Sequence, residues 1–171
     1  YGAPHWSGFK LDPHLTNEAA PDVPYPPPPT DFRPANFKDG TATIFTPKLR
    51  LASNLRDDAA VRTGWSILAQ VARRINDLAQ GAGVPAVFTI IPTKELVYAP
   101  RIAEEGISAP DDFRTLVSSE PQYIAELSAA IRQLPGANYV DVVAPMQEAA
   151  RTRLLYLPNE NGHPRASGYE V

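Results

Sequence analysis

The sequence predicts one α/β domain preceded by a proline-rich arm, and three observations carry that reading. Apolar residues recur at helical spacing between Val61 and Ala79. After a short glycine loop comes an apolar, β-branched run, Val84 to Ile91, of strand length. A second helix, a second short strand and a third helix then fill Ser119 to Thr152. Helix, glycine loop and buried strand make half of a βαβ unit, and its repetition implies helices packed on a parallel sheet. With 171 residues and 43% hydrophobic content, the chain can build one domain with a sizeable core.

Residues 1–40 form the arm, with Pro4, Pro13, Pro21, Pro24, Pro26 to Pro29 and Pro34 interleaved with Tyr1, Trp6, Phe9, Tyr25, Phe32 and Phe37. No helical or alternating period survives that punctuation. Tyr25-Pro26-Pro27-Pro28-Pro29 reads as polyproline II. Residues 1–35 could dock in an aromatic-lined groove of a protein partner, or their rings could anchor the arm on its own domain.

Residues 41–171 hold the domain. Thr41 to Thr46, bounded by Gly40 and Pro47, reads as a short strand. Asp57 or Asp58 caps the first long helix, whose buried stripe is Val61, Trp65, Leu68, Ala72, Ile75 and Ala79; Gly81 and Gly83 stop it. The run from Val84 to Ile91 suits a strand buried on both faces. It ends at Pro92-Thr93-Lys94-Glu95, at the carboxyl edge where open α/β sheets bind ligands. Lys94 and Glu95 could therefore touch substrate, or cap a helix and pair with each other. Residues 99–120 read as an irregular connection with a short turn near Asp112 to Val117. Ser119 caps the second helix, Pro121 lies in its first turn, and Ile124, Leu127, Ile131 and Leu134 form its stripe. Tyr139 to Val143 is the second strand, and Met146 to Thr152 the third helix.

Composition narrows the function classes. A formal net charge of −3 argues against nucleic acid or an anionic membrane as main partner. No apolar run approaches the ~20 residues of a membrane span. There is no cysteine, which removes disulfides and thiol chemistry. The three histidines, His5, His14 and His163, have no metal-ligand spacing, so neither metal nor cofactor is expected. The only methionine is Met146, and Val171 falls within an opening helix, so the chain reads as an internal or trimmed segment. The compartment is open, with a periplasmic or extracytoplasmic bacterial location slightly favoured.

The tail carries the sharpest chemical signal. In Asn159-Glu160-Asn161-Gly162-His163-Pro164, a histidine sits on a Gly/Pro-punctuated turn with a carboxylate three positions before it. Such a turn could hold an imidazole as general base, or it could be a solvated turn feeding a helix. Leu155-Tyr156-Leu157-Pro158 followed by Asn161-Gly162-His163-Pro164-Arg165-Ala166-Ser167-Gly168-Tyr169 resembles the last block of SGNH/GDSL hydrolases. Thr93-Lys94-Glu95 with Val97-Tyr98 is also similar to a run in some bacterial SGNH-like proteins. The resemblance covers roughly residues 60–171.

That resemblance implies a three-layer α/β/α, flavodoxin-like sandwich with the histidine loop at the carboxyl edge of the sheet. It implies a serine esterase, deacetylase or acyltransferase acting on an acyl ester or acylated carbohydrate. His163 would be the general base, with Glu160 or Asn161 at the positions of the family's orienting aspartate. The family's Gly-Asp-Ser nucleophile block, its oxyanion-hole glycine and its Gly-x-Asn-Asp block are absent from these residues. Three readings follow: the C-terminal part of a hydrolase whose serine lies upstream, an inactive SGNH-like scaffold serving as a binding or assembly subunit, or an unrelated α/β binding domain.

Overall fold

In the computed structural model, residues 33–171 are described, Arg56 apart, and the readings made for the chain ahead of Arg33 lie outside the described residues. The description begins with a hairpin where the arm was expected to continue. Strand β1 (Arg33–Asn36) pairs antiparallel with β2 (Ala42–Phe45), Arg33 opposite Phe45 and Asn36 opposite Ala42. Pro34 is tolerated because, among the described residues, β1 is paired on one side only, and an edge strand can spare an N–H. Asp39 closes the turn: its Oδ1 accepts the Thr41 amide at 2.9 Å and the Thr41 hydroxyl at 2.6 Å. Gly40, at φ 82°, supplies the left-handed residue.

A short helix α1 (Pro47–Ala52) follows, started by proline in its first turn. Helix α2 (Ala59–Gly81) has Asp58 as its cap, the carboxylate accepting from the amides of Ala60 and Val61. The expected stripe on α2 is corrected. Ala72 and Asn76 are buried, but Leu68 and Ile75 face solvent, as does Leu78.

Strands β3 (Ala86–Thr89) and β4 (Ala137–Val140) form a two-stranded parallel sheet, with Ala86 opposite Ala137 and Thr89 opposite Val140. Helices α2 and α4 (Asp111–Arg132) pack on this pair. Alternate residues therefore diverge: Ala86 is buried, while Val87 is 63% exposed. One expectation falls here: the run from Val84 to Ile91 is covered on one face only among the described residues. The α/β character with a small parallel sheet is as expected, and the described sheet has two strands. Helices α3 (Lys94–Glu105) and α5 (Val143–Ala150) pack chiefly on each other, so among the described residues the face bearing Val87 and Val140 is uncovered.

The supposed irregular connection is mostly helix. Thr93 caps α3 through its side chain, and the helix runs through Pro100 to Gly106, which ends it at φ 69°. Proline at position 100 removes the donor that the Leu96 carbonyl would use. The side chain of Gln147, on α5, supplies it instead at 3.0 Å. We expect Gln147→Ala to cost about 1 kcal/mol, the net worth of one hydrogen bond, as a lower denaturant midpoint at unchanged slope.

Helix α4 likewise begins at Asp111 rather than Ser119 and continues through Pro121. Two acids in its first turn complement the helix dipole. Phe113, Leu116, Glu120, Ile124, Ser128 and Ile131 stay on one buried face across the proline, so packing outweighs one lost backbone bond. Ser119 is internal, its hydroxyl donating to the Thr115 carbonyl at 2.9 Å. The core gathers Phe37 and Phe45 of the hairpin region, Val97, Tyr98 and Ile102 of α3, Phe113 of α4, Met146 of α5, and Leu155 and Tyr156 of the tail. A four-residue helix α6 (Ala166–Tyr169) closes the chain.

Candidate functional site

The histidine loop leaves the core at Tyr156 and returns at Pro164, and its two ends are fastened together. Tyr156 and Pro164 form an antiparallel bridge, and the Arg165 amide donates to the Leu155 carbonyl at 2.9 Å. Ser167 donates its hydroxyl to the Leu154 carbonyl at 2.8 Å. Gly168 lies so close to Leu155 that a side chain there would strike the Leu155 carbonyl. Below, the Tyr98 hydroxyl accepts the Leu155 amide at 2.7 Å, and the Tyr156 hydroxyl donates to the Pro92 carbonyl at 2.6 Å. The base of the loop is therefore tied to α3 and to the carboxyl end of β3.

At the tip, two asparagine turns follow one another. Asn159 Oδ1 accepts the Asn161 amide at 3.1 Å, and Asn161 Oδ1 accepts the His163 amide at 2.9 Å. His163 itself is exposed. Glu160 and Asn161 are exposed beside it. Asn161 serves the backbone of His163, and no bond from Glu160 or Asn161 to the imidazole is found among the described residues.

Beneath the loop lies a buried polar cluster from the first turn of α3. Lys94 is only 2% exposed, and its ammonium donates to the carbonyls of Ile44 at 3.1 Å, Leu157 at 3.0 Å and Asn159 at 2.6 Å. Burial lowers its pKa to about 8, helped by Arg50 and opposed by the charges of Glu95 and Glu160. Glu95 is 1% exposed; one oxygen accepts the Thr46 amide at 2.7 Å, and the other has no protein partner among the described residues. Burial pushes its carboxyl upward. Glu120 reaches over from α4 and takes both the amide of Thr93, at 2.7 Å, and its hydroxyl. Burial raises that carboxyl too. Arg50 of α1 lies against Gly162, at a place any side chain on that residue would occupy.

The tail residues named from sequence are thus brought to one surface loop, while the deeper contributors are Lys94, Glu95, Thr93 and Glu120. Thr93-Lys94-Glu95 was legible as an edge of the site, although neither lysine nor glutamate showed that it would be buried. Glu120, some way along the chain, carried no signal beyond its place on the apolar face of a helix. The hydroxyls of Ser119, Ser128 and Ser167 are spent on backbone carbonyls. No group of three or more His, Cys, Asp or Glu that could hold a metal occurs among the described residues. No family model matches the chain, and no curated protein or solved structure is found to be similar to it.

Proposed function

We propose that this chain is the C-terminal part of an SGNH-type serine hydrolase, with His163 as general base and the nucleophilic serine supplied from upstream. One observation supports it above the others. The exposed His163 stands at the tip of a loop whose ends are bonded together and whose interior is anchored on a buried charge. An imidazole presented on a fixed backbone suits proton transfer with a nucleophile brought from another segment. The acyl group would come from an ester or an acylated carbohydrate, and Glu160 or Asn161 would orient the ring in the assembled site.

The test is direct. The intact protein should react with a fluorophosphonate, and His163→Ala should lower its ester hydrolysis about 10³-fold or more. Because His163 is exposed, its melting temperature should not move. Full activity in the variant would sink the assignment of the base.

A second reading, an inactive SGNH-like scaffold acting as a binding or assembly subunit, draws on a different observation. Asn161, at one position of the triad acid, is neutral and engaged by the backbone. On this reading the intact native protein stays unlabelled by the fluorophosphonate, and residues 1–35 are the segment to test for a protein partner.

A further inference from the structure

The ammonium of Lys94 has three N–H groups, and three carbonyl oxygens take them. None belongs to a carboxylate. One lies on β2, at Ile44, and two lie on the histidine loop, at Leu157 and Asn159. Thr43, also on β2, adds a longer hydroxyl contact of 3.4 Å to the Leu157 carbonyl. Burying a charge is costly, and hydrogen bonds from a charged donor are the strong kind that can offset it. The cost is met here at a place where the backbone, not another charge, is being held.

What is held leads to the histidine. Asn159, whose carbonyl takes the shortest of the three bonds, accepts the Asn161 amide with its side chain. Asn161 in turn accepts the His163 amide. A continuous series of hydrogen bonds therefore runs from the buried ammonium through two turns to the backbone of His163. We propose that Lys94 is the positioning residue of His163: by fixing the carbonyls of Leu157 and Asn159 to β2, it sets where the imidazole is presented. This rests on the hydrolase reading for its purpose, but not for its geometry.

The counting of donors makes the idea testable without any substrate. A neutral amine has two N–H groups for three carbonyls, so loss of the proton must release one of them. The charged groups facing Lys94 are Glu95 on its own helix, Arg50 on α1 and Glu160 on the loop; Glu120 of α4 lies beyond, beside Glu95 and Arg50. Removing Glu160, whose charge favours the ammonium, should lower the midpoint of this transition without abolishing it.

The experiment is a pH titration of backbone amide resonances in the intact protein, repeated in Lys94→Met. We expect the amides of Asn159, Asn161 and His163 in the native protein to shift together with a midpoint near 8. In Lys94→Met that shared midpoint should vanish, and amide exchange at Asn161 and His163 should quicken about tenfold or more, the loss of a charge-assisted bond. A change of stability alone would not produce a shared midpoint in these three residues. If Lys94→Met does not fold, the native titration and its Glu160→Gln counterpart decide. Amides that share no midpoint, or that exchange unchanged in Lys94→Met, overturn the proposal. A protein without esterase activity whose loop still titrates keeps Lys94 in this role and removes the hydrolase reading. An active esterase with an unresponsive loop does the reverse.

Discussion

Tyr98→Ala is expected to cost about 3–5 kcal/mol, the range for truncating a large aromatic in a core. Tyr98 is fully buried on α3 and meets three rings: Phe37 at 5.4 Å, Phe45 at 6.1 Å and Tyr156 at 6.2 Å between centroids. Those rings come from the hairpin and from the tail, so one side chain joins the two ends of the described chain to the middle. Its hydroxyl also accepts the Leu155 amide, just before the histidine loop departs. Two losses can be separated. Tyr98→Phe keeps the ring contacts and leaves the buried Leu155 N–H without an acceptor, which should cost about 1–3 kcal/mol. The remainder of the alanine effect is cavity and lost packing. Thermal unfolding of both variants checks this, with a fall of roughly 10 °C expected for Tyr98→Ala in a domain of this size. Equal melting temperatures for the two variants would show that the hydroxyl, not the ring, does the joining.

The parts of the fold legible in the sequence were those decided locally. Asp58 caps α2 because a carboxylate before an apolar period bonds the first free amides, whatever surrounds it. The stripe of Ile124, Leu127, Ile131 and Leu134 is buried or half-buried as its spacing required. Prolines misled the reading where tertiary contacts overrule them. Pro100 sits inside α3 because Gln147, from another helix, serves the carbonyl it orphans. Pro34 sits in β1 because, among the described residues, that strand has one neighbour and can spare an N–H. The apolar run at β3 named a strand correctly but not its surroundings: side-chain type tells how a strand could be covered, and Val87 shows that among the described residues one face is not. At the site, the turn around His163 was legible from Gly162 and Pro164. Lys94 was not, because its partners lie 50, 63 and 65 residues away, and backbone carbonyls leave no mark in a sequence. Asn161, named with Glu160 at the positions of the orienting acid, has its side-chain oxygen engaged by the His163 amide two residues on.

Arg101→Met should cost about 3 kcal/mol, toward the lower end of breaking a buried ion pair. The guanidinium is 3% exposed and holds four things at once: Asp39 at 2.7 Å, Glu105 at 2.7 Å, the Ala150 carbonyl at 3.3 Å and the Phe37 ring, 3.9 Å from its centroid. It thereby bonds the hairpin turn, α3 and the end of α5. Asp39 and Glu105 keep some access to water, so the abandoned carboxylates suffer less than fully buried ones would. The acid limb of stability offers a second readout. Asp39 is lowered to about 2, first by its bonds from Thr41 and then by Arg101. A carboxyl depressed in the folded state contributes stability that is present above its unfolded value and lost as pH falls through the folded one. Asp39 should therefore weaken the native protein between the ordinary aspartate value of 3.8 and about 2. In Arg101→Met this loss should shrink without vanishing, because Thr41 still holds the carboxylate. Denaturation followed from pH 5 to pH 2 gives both quantities, the offset from the ion pair and the slope from Asp39 together with Glu105, whose carboxyl Arg101 also lowers. A variant whose acid slope matches the native protein would mean that Arg101 holds Asp39 and Glu105 in place without stabilising their charges.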